Sequence, residues 1–375
     1  MNILYLTTFD PRQKTYGGEQ RTHVLWMALQ KCGQVVHTLV LRGGRHVVPE
    51  EDADNLIRIV SADSPSLFFK ALDRLMLRVG NGTRFPWHAK KNVQKLVGWP
   101  GVKFDVVVCR YLGPMAMTSA WKIAPCVVDI DDYPPALARS RHKSWFCRLL
   151  VGGWTKYLLK KARAAWIPDA AQIPLISKVL PCAHLPNLAR GPSAAYNPHH
   201  PQKEQLMTVG LMAHLPNQEG VDWFLQTVWP AVHAKFPSMR YQIIGKGVPP
   251  ALEKKWRSIP GVEVLGYVSD VELDRLYEES LAVVAPILSG AGTCIKVLEA
   301  GLRQRFVYAT SFACRGLVGS ESYCLNLDVE TLLQTLPQII KHQLEVHAPD
   351  EKALNQEFES VIEKVIHNIR ELKRK

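Results

Sequence analysis

The chain reads as an α/β protein built from two Rossmann-like, doubly wound domains, and three features of its 375 residues predict this. Apolar runs of four to seven residues alternate with helical patterns along the chain, the signature of parallel strands joined by helical crossovers. The length exceeds what one core ordinarily organises, so two units of about 150–200 residues are expected. Between them, ARGPSAAYNPHHPQKE (189–204) is rich in proline and small or polar residues and has no periodicity, which reads as a linker. The expected layout is a first domain at 1–188, the linker at 189–204, a second domain at 205–355 and a closing helix at 356–375.

In the first half the strand candidates are NILYL (2–6), VVHTLVL (35–41), FDVVVC (104–109), PCVVDI (125–130) and AAWIP (164–168), with a helix from about Gly18 to Lys31. In the second half they are LMTVG (206–210), YQIIG (241–245), VEVLG (262–266), LAVVAP (281–286) and FVYAT (306–310). Helical patterns near 219–235, 250–257, 270–279 and 293–303 fall between them. The last segment, FESVIEKVIHNIRELKRK, places Phe358, Val361, Ile362, Val365, Ile366, Ile369 and Leu372 on one face. This amphipathic helix is expected to pack back onto the first domain. Ligands of such sheets bind at the carboxyl ends of the strands, so two of them facing each other predict a site in the cleft between.

The net charge of +12 is uneven. Residues 1–190 hold 27 Lys and Arg against 13 Asp and Glu, whereas the remainder holds 19 against 21. The basic half is expected to meet something anionic, such as a membrane surface, a nucleic acid or a phosphorylated acceptor. No helix-turn-helix, RNA-binding or zinc signature accompanies the charge, so nucleic acid is not expected. The N-terminus has no basic n-region and no window approaches the ~20 apolar residues of a transmembrane helix. The eight cysteines form no CxxC pair, and free thiols in a reducing cytoplasm are expected.

Four stretches carry chemistry. In SGAGTCIKVLEAG (289–301), a glycine-rich turn follows a buried strand and opens a helix, where free N–H groups attract anions. Glu299 lies within an apolar helical run, where a carboxylate is costly without partners; a ribose diol is one partner. Lys296 can reach a phosphate or pair with Glu299 three residues on. In the opening loop, Gly17-Gly18 precede a helix, with Arg12, Lys14 and Arg21 nearby. PCVVDI ends in Asp129, Asp131 and Asp132, read as caps, a metal pair or contacts to a substrate. From Tyr133 to Pro168 no acidic residue occurs, while Arg139, Arg141, Lys143, Arg148, Lys156, Lys160, Lys161 and Arg163 interleave with Trp145, Phe146, Trp154 and Tyr157. Together with SLFFKALDRLMLRVGN (66–81), this basic and aromatic character fits a membrane interface.

The blocks from Pro216-Asn217 through IIGKG, Gly266-Tyr267-Val268, the proline of LAVVAP, GAGTCIKVLEA and RGL, in that order over about 206–317, resemble the donor domain of GT-B glycosyltransferases. More narrowly, they are similar to the retaining, family 4-like enzymes that build bacterial polysaccharides. The first half is similar in outline only, through its first strand and the Gly17-Gly18 loop. The resemblance implies a GT-B fold of two Rossmann-like domains facing a cleft, with a nucleotide-sugar donor, UDP- or GDP-linked, as substrate and no cofactor or metal. It implies that Glu299 holds the donor ribose, that Gly290, Ala291, Gly292 and Thr293 present backbone amides to the diphosphate and sugar, and that Gly266-Tyr267-Val268 meet the base. Gly17 and Gly18 would approach the donor diphosphate and acceptor.

Two departures stand out. The first Glu of the family's Glu–seven residues–Glu pattern falls at Ala291, as in a branch with GAG or GTG there. The loop after the first donor-domain strand, GLMAHLPNQ, lacks the Arg and Lys that clamp the diphosphate in many members. His214, Lys246 and Lys296 are the substitutes, with Lys296 preferred. Asp131, Asp132 and Lys296 are the catalytic candidates, the aspartates toward the acceptor or transferred sugar and Lys296 toward the leaving phosphate. The expected activity is hexosyl transfer (EC 2.4), retaining by front-face displacement, to a glycan or lipid-linked glycan in polysaccharide or lipopolysaccharide assembly. The expected place is the cytoplasm, peripheral at the inner membrane through 66–81 and 139–163. The alternatives are a non-catalytic partner protein of the same fold and a sugar-nucleotide 2-epimerase.

Overall fold

The computed structural model describes residues 1–13, 17–32, 35–42, 50–51, 56–61, 99, 101–131, 133–140, 143–198, 203–290, 292–317 and 319–374. The chain divides into two compact units, Met1–Asn187 with Asn355–Lys375, and Leu188–Leu354.

The first unit contains β1 (Asn2–Thr7), α1 (Gly17–Cys32), β2 (Val35–Arg42), β3 (Glu50–Glu51), β4 (Ile57–Ser61), β5 (Val106–Arg110), α2 (Leu112–Thr118), β6 (Cys126–Asp129), α3 (Pro134–Ser140), α4 (Trp145–Leu159), β7 (Ala164–Ile167), α5 (Ile173–Ile176) and β8 (Cys182–His184). Its sheet runs β3-β4-β2-β1-β5-β6-β7-β8, parallel throughout except for the β3–β4 pair. β1 is buried from its second residue onward, and β5, β6 and β7 are buried along their whole length, as expected of strands covered on both faces. Their Val, Ile and Leu runs therefore show no alternation.

The second unit contains β9 (Gln205–Val209), α6 (Leu215–Thr227), α7 (Trp229–Lys235), β10 (Arg240–Ile244), α8 (Pro250–Arg257), β11 (Val262–Gly266), α9 (Asp270–Glu279), β12 (Ala282–Ala285), α10 (Ile295–Leu302), β13 (Phe306–Ala309), α11 (Ser311–Cys314), β14 (Cys324–Asn326) and α12 (Val329–Ile340). Its sheet is parallel, in the order β11-β10-β9-β12-β13-β14. Helix starts follow local chemistry: the Ser269 hydroxyl accepts from the Glu272 N–H, and the Asp328 carboxylate from the Thr331 N–H.

Each sheet reverses its winding once. In the first the chain leaves β1 for β2 on one side and returns to β5 on the other; in the second, β10 and β12 flank β9 in the same way. Such switch points leave a crevice beyond the strand ends, where ligands of doubly wound sheets bind.

A final helix, α13 (Glu351–Arg374), belongs to the first unit from Asn355 onward. Phe358, Ile362 and Ile366 are buried, and Lys31 of α1 pairs with Glu359 at 2.5 Å. The segment preceding β9 is strapped to the second unit. Arg303 donates to the Arg190 carbonyl at 2.8 Å, the Ser193 N–H to Asp274 at 3.0 Å, and the Tyr196 hydroxyl to the Arg303 carbonyl at 2.6 Å. Composition alone gives this stretch a linker's look because many of its anchors are backbone groups, joined by Tyr196 and by the Arg190–Asp270 and Lys203–Glu279 ion pairs.

Candidate functional site

In the second unit, β12 delivers the chain through Pro286 into the turn that contains Gly290 and Gly292, and α10 starts at Ile295. Gly290 has φ 132° and Gly292 φ 69°, backbone conformations open to glycine. Lys296, the second residue of α10, reaches across to the end of β9 and donates to Asn217 Oδ1 at 2.8 Å. A Cβ built on Gly210 would lie 3.0 Å from Lys296 Nζ, so the ammonium stands at the β9–β12 switch point. The Lys296–Glu299 pair open to the sequence does not form as a hydrogen bond; Asn217 takes the lysine instead. Burial lowers the Lys296 pKa, with Cys294 and Glu299 opposing it.

One turn along, Glu299 is buried, at 8% exposure. Its charge partner is Arg303 four residues on, with Arg303 Nη1 3.6 Å from Glu299 Oε1. That guanidinium is already engaged: Asp274 Oδ1 accepts from its Nε at 3.0 Å and Nη2 at 2.8 Å, and the Arg190, Gly191 and Glu299 carbonyls take further N–H bonds. Burial accordingly raises the Glu299 pKa, against the opposing pull of Arg303 and Arg190. Helix α10 thus carries a cation paired with a neutral amide and a carboxylate whose counter-ion is shared. Both are costly to bury and ready to be relieved by a ligand.

The turn Gly266-Tyr267-Val268 follows β11. Tyr267 is 61% exposed, and Lys246 Nζ stands 4.2 Å over its ring. Lys246 is therefore tied to the tyrosine as a cation–π pair. Ala291 and Asp132 lie outside the described residues, while Thr293 is part-buried ahead of α10.

In the first unit, Gly17 and Gly18 open α1, and Gly18 lies against the Phe9 ring, 3.0 Å from an added Cβ. Asp129, the last residue of β6, is fully buried. Arg21 binds it at 3.0 and 2.6 Å and turns its remaining donors to Pro186 O, Asn187 Oδ1 and Leu185 O. All five guanidinium N–H groups of Arg21 therefore have acceptors, and it is not open to a diphosphate. Arg110 pairs with Asp129 at 3.0 Å and with Asp131 at 2.7 Å. The carboxylates that read as a metal pair are thus held by guanidinium groups. Asp131 remains 20% exposed and accepts from Tyr111 Oη at 3.4 Å. Burial pushes its pKa up, but the Arg110 and Arg21 charges and the Arg110 and Tyr111 hydrogen bonds hold it below the usual range.

Tyr111 itself has φ 73° and ψ 157°, a region nearly reserved to glycine. Its ring meets Arg110 at 4.1 Å and the edge of Phe9 at 6.1 Å. Phe9, Gly18, Tyr111 and Asp131 thus converge at the β1–β5 switch point.

Residues 203–347 match the family model Glycosyl transferases group 1. Most of the second unit is therefore similar to group 1 glycosyl transferases. Over 116 residues the chain is 29% identical to an uncharacterized 44.6 kDa protein in the cps region of Klebsiella pneumoniae, a stretch covering 30% of each chain. Among solved structures, sucrose-phosphate synthase from Thermosynechococcus elongatus matches with TM-score 0.61 and 14% identity, over 100% of this chain and 98% of that one. The α,α-trehalose 6-phosphate synthase from Burkholderia multivorans matches with TM-score 0.66 and 11% identity, over 100% and 97%. The fold is GT-B, two Rossmann-like units as in these synthases.

Within the matched segment the structure brings Lys296, Glu299, Gly290 and Gly292 onto one helix and its entry turn. Two residues at this site escaped a functional role in the sequence reading: Asn217, which holds Lys296, and Arg303, which faces Glu299. Arg303 had a local signal, since it stands four residues after Glu299 on one helix. Asn217 stood in the Pro216-Asn217 block of the resemblance, but nothing in the sequence joined it to Lys296, 79 residues away.

Proposed function

We propose that the protein transfers a sugar from a nucleotide-sugar donor, UDP- or GDP-linked, to a glycan or lipid-linked glycan acceptor, with retention of configuration. The observation that carries this reading is the pair on α10: an ammonium not cancelled by a carboxylate at the switch point, and an under-compensated carboxylate one turn away. A nucleoside diphosphate relieves both, its phosphates meeting Lys296 and the amides of the glycine turn, and its ribose hydroxyls donating to Glu299. As the sugar–phosphate bond breaks, negative charge grows on the leaving phosphate, and one well-placed donor at such a position is commonly worth about 3–4 kcal/mol. The missing Arg and Lys of GLMAHLPNQ concentrate this role on Lys296.

Asp131 is assigned to an acceptor sugar. Arg110 and Arg21 keep it ionised, which suits it to accept hydroxyl hydrogen bonds rather than to take a proton. No side-chain nucleophile is assigned, so the leaving phosphate itself would receive the acceptor proton in a front-face displacement. No metal is assigned to these steps.

The acceptor is placed at a membrane surface, in assembly of a bacterial polysaccharide or lipopolysaccharide. The start of α4 exposes Trp145 (68%), Phe146 (58%) and Leu149 (63%) beside Lys143, Arg148 and Lys156, a pattern that suits anionic lipid. The other basic stretch, 66–81, lies outside the described residues, and among those described no helix is long and apolar enough to cross a membrane. The Klebsiella relative's cps region agrees in direction.

The test incubates the protein with UDP- and GDP-hexoses and bacterial lipid extract, following nucleoside diphosphate release and the anomeric configuration of the product. Acceptor-dependent release that Lys296→Met abolishes is expected, with an unchanged anomeric configuration. Release that ignores this substitution would contradict the assignment.

A further inference from the structure

We propose that Asn217 is the positioning residue that makes Lys296 the diphosphate cation of this domain, aiming the ammonium while leaving its charge uncancelled. The proposal rests on the donor-site reading above. It begins from a vacancy in the sequence: the loop after β9, GLMAHLPNQ, supplies no Arg or Lys to the β9–β12 switch point. The ammonium there comes from the opposite side, from α10, and a flexible lysine stem needs a fixed point to arrive in one place.

Asn217 provides that point. It is the third residue of α6 and 9% exposed. Its Nδ2 donates to the Leu211 carbonyl at 2.8 Å, which fixes the amide with its oxygen turned to Lys296 Nζ, also at 2.8 Å. Gly210 completes the arrangement, because a Cβ there would stand 3.0 Å from Lys296 Nζ and 3.1 Å from Asn217 Nδ2. One N–H of the ammonium is therefore taken by a neutral acceptor, and two are left for an anion. A carboxylate at 217 would hold the lysine equally well and neutralise it. An alanine would leave the charge and lose the aim. Asparagine separates the two functions, orientation without cancellation.

Of the other two candidates, His214 stands exposed at the N-cap of α6. Lys246 covers the Tyr267 ring at the far side of β10. The replacement for the usual clamp is thus one lysine and one amide from different helices.

The experiment titrates UDP, GDP and ADP, and the matching monophosphates, into wild type, Asn217→Ala, Asn217→Asp and Lys296→Met by calorimetry. The readout is the affinity gained from the second phosphate, which a merely structural residue would not move selectively. For whichever base binds, Asn217→Ala is expected to reduce that gain about three- to tenfold, and Asn217→Asp about tenfold or more at unchanged melting temperature. Monophosphate affinity is expected to stay the same, and Lys296→Met to abolish the gain. An Asn217→Asp protein that keeps the wild-type gain overturns this inference and leaves the donor site standing. If the two Asn217 variants prove unfolded, Gly210→Ala, which displaces the same Nζ, must reduce the gain, or the inference fails. A wild type that binds none of the diphosphates overturns the donor-site reading and the inference with it.

Discussion

Two charge clusters sit at equivalent places in this molecule, each beyond the carboxyl ends of a doubly wound sheet, and they are built on opposite principles. In the first unit Arg21 and Asp129 form a closed pair, and Arg110 joins Asp129 to Asp131 while its own Nε has no hydrogen-bond partner among the described residues. Arg21 is 1% and Asp129 0% exposed, and every donor of Arg21 has an acceptor. In the second unit Lys296 has an amide in place of a counter-ion, and Glu299 faces an arginine committed to Asp274. Charge is common to both, and so is partial or full burial. Completeness of pairing is what differs: Arg21 and Asp129 satisfy each other, whereas Lys296 is held by an amide and Glu299 by a shared arginine.

The largest expected effect comes from breaking the closed cluster. Arg21→Met leaves Asp129 buried without its bidentate partner, and a loss of about 3–5 kcal/mol is expected in urea unfolding. Nucleotide affinity in the protein that remains folded should be unchanged. Breaking the open cluster should do the reverse. Lys296→Met is expected to weaken nucleoside diphosphate binding about 10- to 100-fold, from a lost charged hydrogen bond of about 1.5–3 kcal/mol. Its melting temperature should hold or rise, because a partly desolvated ammonium is gone.

The clusters should also titrate with opposite signs. Asp131 has a lowered pKa in the folded protein, so its contribution is present above the unfolded value and is lost as pH falls through the folded one. Glu299 has a raised pKa, so its contribution favours folding at low pH and is lost as pH rises through that raised value. Glu299→Gln should therefore flatten the acid side of the stability profile in the opposite sense to Asp131→Asn. Diphosphate affinity, which needs both Glu299 and Lys296 charged, should fall below the raised Glu299 pKa. It should fall again in alkali before the ordinary lysine range, since burial lowers the Lys296 pKa. Calorimetric titrations across pH check both limbs.

The smallest expected effect on stability lies at α4. Trp145→Ser with Phe146→Ser removes exposed rings, so a change within about 0.5 kcal/mol is expected. Sedimentation with anionic vesicles should nonetheless drop, and an unchanged sedimentation would remove the membrane assignment.

Much of the frame was legible because buried parallel strands announce themselves as short Val, Ile and Leu runs between helical patterns. NILYL, PCVVDI and FVYAT each became a strand within a residue or two of the expected ends. The strands that escaped, β3, β4, β8 and β14, are short or lie toward the sheet edges, where few side chains are fixed by burial. At the site, Lys296 and Glu299 stood out because charges within an apolar helical run are costly. Their partners did not. Asp129 read as one of three carboxylates at a strand end, yet its ion pair is with Arg21, 108 residues away. Asn217 is an ordinary helix-start residue until β9 and α10 are folded beside it. Local pattern marks which residues bear strain, and only topology shows what relieves it.

The most direct measurement is calorimetric titration of UDP, GDP, ADP and CMP into the wild-type protein and Glu299→Ala. The account predicts micromolar binding of one nucleoside diphosphate, lost or strongly weakened in the variant, with the fold intact by melting temperature. Binding that Glu299→Ala leaves unchanged, or no binding to any of the four, would contradict it.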